Sequence, residues 1–272
     1  MAKLKILSVL LLAATLTACG LFPTDEDKTR NWTASKFYSE ASGALAEGDY
    51  EKAIELYEKL EARYPFGRYA TQAQLDVAYA YYRYGEPESA LAALDRFIEL
   101  HPASSYLAYA YYMKGIVNFN RSLDFISRFL PTDTSQRDPG AAVDAFNDFS
   151  EVVTRFPDSE YADDARQRMV YLRNTLARHE VHVARYYMKR GAYVAAANRA
   201  EEVVEKYQRT PAVKDALQIM VEAYGKLGLE ELSADAQRVL ALNEAQGNFA
   251  EPPEVDETLL GRVWKFLELD KN

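Results

Sequence analysis

Hydrophobic residues recur along this chain at the spacing of amphipathic helices, and one motif of them occurs five times. In each copy, residues that belong on one helical face stand five, nine and twelve positions after a glycine. A second amphipathic segment precedes each glycine, so each copy predicts a pair of helices. The pattern therefore predicts an all-α, helical-repeat solenoid of five repeats. The five copies start at Gly48, Gly85, Gly140, Gly191 and Gly228.

The five copies resemble the tetratricopeptide repeat. In that repeat a small residue near the start of the second helix lets the two helices approach closely, and a proline ends the pair. The small residue is present in all five copies, whereas the proline is present in three and is replaced by Gln208 and Ala245 in the last two. The fifth copy is the weakest, which fits an end-capping repeat. Unrelated amphipathic helices would need coincidences in glycine, alanine and proline together.

Departures from the 37-residue period divide the chain further. The N-terminal repeats (29–138) contain an inserted loop at 121–139, and the C-terminal repeats (139–245) contain a stretch from Ala162 to Lys189 without Gly or Pro, which predicts one long helix. Residues 246–272 form an acidic, proline-containing tail. Within it, residues 258–269 predict a short amphipathic helix with one apolar side, made of Leu260, Val263, Trp264 and Leu267.

The N-terminus has the pattern of a processing signal. Lys3 and Lys5 precede an apolar run at 6–16, which is shorter than the roughly 20 residues that span a bilayer. Residues 1–18 therefore predict a signal peptide. The chain has a single cysteine, Cys19, and Leu16-Thr-Ala-Cys19 resembles a bacterial lipobox. An incidental cysteine after a signal peptide, or one buried in an ordinary helix, is the alternative.

The lipobox resemblance implies a covalent lipid on Cys19, as N-palmitoyl and S-diacylglycerol groups. Gly20 follows the cysteine instead of the Asp that favours retention at the inner membrane in this class. We therefore expect attachment to the periplasmic side of the outer membrane. Several acyl chains anchor a protein stably, and residues 19–28 would form a lipidated tether.

Composition argues against nucleic-acid binding and against catalysis. Asp and Glu number 41 against 32 Lys and Arg, a net charge of −9. A single cysteine excludes a disulfide within the chain and a cysteine-based metal cluster. His179 and His182 stand three residues apart instead of the four of the zinc-protease motif. Nucleophile-elbow and phosphate-loop motifs are absent from the sequence, so we expect no enzyme activity, no metal and no cofactor besides the lipid.

Two tyrosine-rich segments indicate a binding groove. Residues 78–82 and 108–112 share the pattern Ala-Tyr-Ala-Tyr-Tyr on first helices, which line the concave face in this repeat class. Tyrosine is enriched at interfaces, which favours a role in binding. The alternative is that these side chains pack the repeats together, as we expect for Tyr81 and Tyr111. The predicted groove residues are Tyr79, Tyr82 and Tyr109, with Arg63 and Arg68 at the rim.

A basic segment suggests a second binding surface. Residues 166–190 carry seven Arg and Lys against one acid, Glu180. One interpretation is a solvated helix neutralised by nearby acids such as Glu201, Glu202 and Glu205. The other is a docking face for an acidic partner domain.

Several strings lie outside the general repeat consensus: EARYPFG at 61–67, YAYYR at 79–83, DRFI at 95–98, RDP at 137–139, AFNDFS at 145–150 and RGAYVAAANR at 190–199. Together with the lipobox they resemble the BamD family, the tetratricopeptide lipoproteins of the outer-membrane β-barrel assembly machine. The resemblance covers about residues 16–245, and the tail beyond has no counterpart in it.

The resemblance implies a non-enzymatic scaffold. Its partners would be a BamA-like barrel subunit, bound through a POTRA domain, BamC-like and BamE-like lipoproteins, and unfolded outer-membrane proteins in the groove. Its string at 190–199 places Arg199, beside Asn198, at the POTRA contact. Arg185 and Arg190 are the further docking candidates, from the basic segment.

Two rival functions follow from the repeats alone. A periplasmic adaptor of cell-wall or division machinery would share the repeats but not the distinctive strings. A lytic wall enzyme would need a catalytic domain, and repeats and linkers occupy the chain.

Overall fold

The computed structural model describes residues 28–123 and 139–249. Within these ranges it has ten α-helices, in five antiparallel pairs, which confirms the predicted all-α solenoid of five repeats. The signal peptide, Cys19, most of the tether, residues 124–138 and residues 250–272 lie outside the described residues. The helices are α1 (Ala34–Glu47), α2 (Tyr50–Arg63), α3 (Arg68–Tyr84), α4 (Pro87–Leu100), α5 (Leu107–Leu123), α6 (Gly140–Arg155), α7 (Ala162–Lys189), α8 (Tyr193–Lys206), α9 (Ala212–Leu227) and α10 (Glu230–Ala245).

Turn chemistry explains where the first helices end. Gly48, Gly85, Gly191 and Gly228 have φ between 72° and 89°, the left-handed conformation that closes a helix and that glycine adopts without steric cost. The next residue donates its backbone N–H back into the helix that has just ended, as Asp49 does to Ala44 O at 2.9 Å. Gly140 differs, because it is the first residue of α6.

The second helices end in one register whether or not a proline follows. Helices α2, α4 and α6 end fifteen positions after the repeat glycine, two residues before Pro65, Pro102 and Pro157. Helix α8 ends at the same position, Lys206, without a proline. The packed hairpin therefore sets this boundary, and the proline reinforces it. In the fifth repeat, α10 continues two residues further, to Ala245.

The three motif positions of each repeat form one part of the core, and residues of the first helices such as Phe37 and Leu75 form another. In the first four repeats the residues five, nine and twelve positions after the glycine are fully buried. In the fifth, Leu240 is buried but Gln237 is exposed, in agreement with its weaker pattern. The buried set is Ala53, Tyr57, Leu60, Ala90, Leu94, Phe97, Ala145, Phe149, Val152, Ala196, Ala200 and Val203.

The junction of α5 with its neighbours α4 and α6 contains features that the motif did not predict. A Cβ atom at Gly115 would lie 2.5 Å from the Phe149 ring, so α5 and α6 can only approach this closely over a glycine. Beside it, Lys114 Nζ lies 2.6 Å from Asp95 Oδ1 and 3.3 Å from Asp148 Oδ1. Asn118 also donates to Asp148, at 2.8 Å. These polar contacts link α4, α5 and α6, and the Asn118–Asp148 bond among them is buried.

The predicted long helix is confirmed, since α7 spans Ala162–Lys189 in 28 residues. The predicted start of the inserted loop at residue 121 is wrong by one helical turn, because α5 continues to Leu123. Arg121 stays helical because its guanidinium is held by Glu88 and by Asn118, at 2.8 and 2.9 Å. Among the described helices, none combines the length and the hydropathy needed to cross a membrane.

Candidate functional site

The first helices of successive repeats contact one another, and tyrosine side chains make many of these contacts. Between α1 and α3, the Tyr38 hydroxyl donates to Asp76 at 2.9 Å, and the Tyr69 hydroxyl donates to Ser35 Oγ at 3.3 Å. The Tyr38 and Tyr69 rings lie 5.5 Å apart. These residues begin a surface that we call the tyrosine groove, formed by α1, α3, α5 and the start of α7.

The same pattern continues along the groove. Asn120 of α5 donates to the Tyr82 hydroxyl of α3 at 2.6 Å. The Tyr112 hydroxyl of α5 donates to Asp164 of α7 at 2.7 Å, and the Tyr112 ring stacks on Tyr161 at 4.9 Å. The groove is therefore held by hydrogen-bonded tyrosines whose positions are fixed before any ligand arrives.

The predicted groove tyrosines lie on this surface, half-buried. Tyr79 accepts a hydrogen bond from Arg83 at 2.6 Å, and its ring lies 6.4 Å from Tyr82. The Tyr109 ring lies 5.8 Å from Tyr161. All three pack against the N-terminal core cluster. Each of these tyrosines packs against the core and keeps part of its side chain exposed. Packing of the repeats and presentation to a ligand are therefore compatible roles for the same residue.

Tyr81 and Tyr111 point to second helices instead. The Tyr81 hydroxyl donates to Glu58 of α2, and Tyr111 accepts from Arg155 of α6 at 2.8 Å. Both rings pack against core clusters. The prediction that these two tyrosines pack the helices together is confirmed.

The predicted rim arginines have different positions. Arg68 lies beside the groove, where it donates to the Tyr69 hydroxyl at 2.9 Å and covers the ring at 4.7 Å. Arg63 donates to the backbone oxygen of Thr29 and lies 5.1 Å from the Phe37 ring. Arg63 therefore holds the segment before α1 in place, whereas Arg68 remains a rim residue.

Asp76 gives the groove a half-buried polar centre that the sequence did not predict. Burial raises the pKa of Asp76 above its usual value, opposed by hydrogen bonds from Gln72 at 3.0 Å and from Tyr38. Burial and the adjacent carboxylate also raise the pKa of Tyr38, which stays protonated as a donor. A signal was present in the sequence, since Tyr69, Asp76 and Arg83 stand seven residues apart and share one face of α3.

Part of the basic segment of α7 is paired with acids. Arg166 and Arg168 pair with Asp163 and Asp164, and Arg185 pairs with Asp215 of α9 at 2.9 Å. These acids differ from the Glu residues of α8 that the neutralised-helix interpretation named. Glu202 pairs with residues of its own helix α8 instead. Arg168 is buried, whereas Arg185 remains half-exposed.

The docking candidates of repeat four lie on α7, on α8 and at the turn between these two helices. Arg199 lies 3.0 Å from Glu180 of α7 and 3.4 Å from Glu202, with 44% of its side chain exposed. These carboxylates, Glu180 above all, raise the pKa of Arg199 further. Arg190 covers the ring of exposed Tyr186 at 5.2 Å. Asn198 lines a shallow cleft between the turns of repeats four and five.

Among the residues that the structure describes, no group of three or more His, Cys, Asp and Glu is arranged to hold a metal ion. The ring of His101 instead hydrogen-bonds Gln74 Oε1 at 2.7 Å, which links α4 to α3. His101 is thus a structural contact at the end of a repeat helix.

Fold and surfaces define a helical-repeat protein with a tyrosine-lined inner groove and a mixed charged and apolar face on its C-terminal repeats. Comparison with known proteins then gives the family. The YfiO family, described as "Outer membrane lipoprotein", matches residues 30–240. This chain belongs to that family, which confirms the resemblance to BamD seen in its sequence strings.

Curated relatives cover nearly the whole chain. It is 45% identical over 264 residues to "Outer membrane protein assembly factor BamD" of Neisseria meningitidis serogroup B, an alignment that covers 96% of this chain and 99% of the relative. The protein of the same name from Vibrio cholerae serotype O1 is 37% identical over 241 residues, with 89% of this chain and 99% of the relative covered.

Proposed function

We propose that this protein is an assembly factor for outer-membrane proteins and that it acts by binding, without catalysis. Its relatives are named outer membrane protein assembly factors. The observation that carries the proposal is the tyrosine groove, because hydrogen bonds and ring contacts already hold its tyrosines in place. The groove also runs from the first helix of repeat one to the start of the first helix of repeat four, which suits an extended ligand.

The ligand of the groove would be an unfolded segment of an outer-membrane protein. Tyrosine rings offer a large apolar area at a low cost in side-chain entropy, and their hydroxyls pair with backbone groups of an extended chain. Fixed rings such as Tyr82 and Tyr112 lower the entropy lost on binding, because they are ordered beforehand. Asp76 adds an acceptor beneath the rings.

The C-terminal repeats would dock on a BamA-like barrel subunit through a POTRA domain. Arg199 and Asn198 lie on α8, Arg185 and exposed Tyr186 lie on α7, and Arg190 follows the end of α7. Aromatic and arginine side chains are typical of interface anchors. BamC-like and BamE-like lipoproteins are the further proposed partners within the same complex.

Lipid on Cys19 would hold the repeats at the periplasmic side of the outer membrane. The first described helix begins at Ala34, only fifteen residues after Cys19. Such a tether spans at most about 50 Å when fully extended. The groove would therefore work close to the membrane into which its ligands insert.

A site-specific photo-crosslinker tests the groove. At position 82 it should capture unfolded outer-membrane protein during assembly. The matched control is position 92, an exposed alanine on second helix α4, where capture should be absent. Equal capture at both positions, or none at position 82 while the barrel subunit still co-purifies, would refute the groove and leave the docking proposal standing.

A further inference from the structure

The last helix, α10, presents large apolar side chains to solvent. Leu232, Val239 and Leu242 are 45%, 43% and 58% exposed. Their spacing of seven and three residues places them on one face of the helix. We call these three residues the α10 stripe. Exposed apolar side chains grouped on one face of a helix are typical of a surface that another element or molecule covers.

The earlier repeats show that this stripe is a specific departure. Its members stand four, eleven and fourteen positions after the repeat glycine. None of the twelve equivalent residues in repeats one to four is a large hydrophobic residue, and several form surface ion pairs, such as Lys59 with Glu55 and Glu151 with Arg155. The twelve are Lys52, Lys59, Ala62, Ser89, Arg96, Glu99, Asp144, Glu151, Thr154, Ala195, Glu202 and Glu205.

A terminal repeat normally has a polar outer face, since nothing stacks beyond it. Here three positions of that face carry leucine or valine in the last repeat, whereas they carry no large hydrophobic residue in the first four; Asp235 lies between them on the same face of α10. We propose that the chain's own tail covers it: residues 258–269 pack as a helix along the α10 stripe. This inference is independent of the proposed function.

The tail has the matching apolar side. The sequence predicts a helix over residues 258–269, which lie outside the described residues, and in such a helix Leu260, Val263, Trp264 and Leu267 would share one face. Burial of such a face requires a partner of similar length. From Leu232 to Leu242 the stripe extends about 15 Å along α10, and a twelve-residue helix is about 18 Å long.

The connecting segment is long enough to reach. The described chain ends at Phe249, just beyond the end of α10. Residues 250–257 can span up to about 28 Å when extended, more than the roughly 24 Å length of the 16-residue α10. The tail helix would therefore return antiparallel to α10, starting near Leu242.

Charge also favours this pairing. Helix α10 carries four acids, Glu230, Glu231, Asp235 and Glu244, against one base, Arg238. Residues 258–269 carry two bases, Arg262 and Lys265, against one acid. Opposite net charges on two adjacent helices add modest attraction and disfavour a like-charged competitor.

Cysteine pairs test the contact in the full mature chain, with Cys19 replaced by Ser so that the introduced thiols are alone. Val239→Cys combined with Val263→Cys should form an intramolecular disulfide. The control combines Val263→Cys with Gln237→Cys, an exposed position on the opposite side of α10. We expect the stripe pair to close about tenfold faster or more, since packing raises its effective concentration. Equal rates would overturn the proposal, and so would disulfides formed only between chains, which would assign the stripe to a second copy.

Fluorescence gives an independent measurement. The chain has two tryptophans, so a Trp32→Phe background reports Trp264 alone. Its emission should lie at shorter wavelength than in the denatured chain and should move to longer wavelength in Val239→Glu, but not in Gln237→Glu. Unchanged helical content by circular dichroism establishes that each variant folds. An emission spectrum insensitive to Val239→Glu would overturn the proposal, and loss of barrel-subunit binding in that same variant would assign the stripe to the partner.

Discussion

The N-terminal and C-terminal repeats share one backbone plan but distribute their large side chains differently. In the N-terminal core cluster the buried residues include Phe37, Tyr57 and Phe97. In the C-terminal cluster six of the nine buried residues are alanine. Among the described residues, eight large apolar side chains of the C-terminal repeats are exposed, Tyr186 and Val194 among them, against four in the N-terminal repeats. One repeat motif thus carries aromatic side chains in its core in one half and a larger share of exposed apolar side chains in the other.

The difference has an energetic consequence. Burial of apolar area stabilises by roughly 25 cal/mol per Å², so aromatic cores contribute more per repeat than alanine cores do. The N-terminal repeats should therefore form the stable part of the solenoid. A partner that covers the C-terminal repeats would bury some of their exposed apolar area. Because such a partner binds the folded state, it would also stabilise these repeats by mass action.

The largest expected effect compares matched core positions in the two halves. Phe97 in repeat two and Val203 in repeat four both stand twelve positions after the glycine, and both are fully buried. Phe97→Ala should lower the free energy of unfolding by about 3–5 kcal/mol. Val203→Ala removes two carbons and should cost about 1.6 kcal/mol, at 0.8 kcal/mol per carbon. Urea unfolding followed by circular dichroism measures both.

Equal losses from these two substitutions would contradict the comparison, since they would mean that both cores contribute alike. Far-UV spectra of the folded variants serve as the control for retained helical structure. A reversed order, with Val203→Ala the more damaging, would identify the C-terminal repeats as the stable half instead.

The helical-repeat architecture could be predicted from the sequence because the same pattern occurs several times. Five copies of a glycine with apolar residues at fixed offsets define helices, their order and their buried face without knowledge of any single contact. The close approach at Gly115 occurs in one junction only, and so does the Lys114–Asp148 contact. Features present once leave no internal pattern, and neither was predicted.

The second expected effect tests that junction. Gly115→Ala should destabilise the protein by about 1–3 kcal/mol, because the added methyl group meets the Phe149 ring in a packed core. Gly43→Ala is the matched control, since Gly43 also lies inside a first helix but has open space around its Cβ position. That change should stabilise by about 0.5–1 kcal/mol through helix propensity. Thermal melts of the two variants should move in opposite directions, and a Gly115→Ala protein that melts like its parent would show that α5 and α6 separate freely.

The tyrosine groove and the basic segment of α7 could be predicted from the sequence only in part. Tyrosines in a repeated pentapeptide pointed to the groove, but Tyr38, Asp76 and Tyr161 enter it from different repeats, and only folding brings them together. The basic segment of α7 was visible as a run of charge. Arginines of this segment pair with Asp163, Asp164 and Asp215. A count of charges does not predict these partners, because they depend on which acids share a face of α7 or lie on the neighbouring helix α9.

The smallest expected effect on stability concerns Arg199, and it separates a docking residue from a structural one. Arg199 bonds Glu180, which is 13% exposed, but its own side chain is 44% exposed. An ion pair this open to solvent contributes about 0.2–1 kcal/mol, so Arg199→Leu should unfold within about 1 kcal/mol of the parent. If an acidic POTRA surface takes Arg199 as a partner, the same change should nonetheless reduce co-purification with the barrel subunit, because leucine offers no donor to a carboxylate. Lys206→Leu is the control on the same helix, since it also loses a bond to Glu202, and it should leave binding intact. Destabilisation as large as that of Phe97→Ala would make Arg199 structural, and normal binding would remove it from the interface.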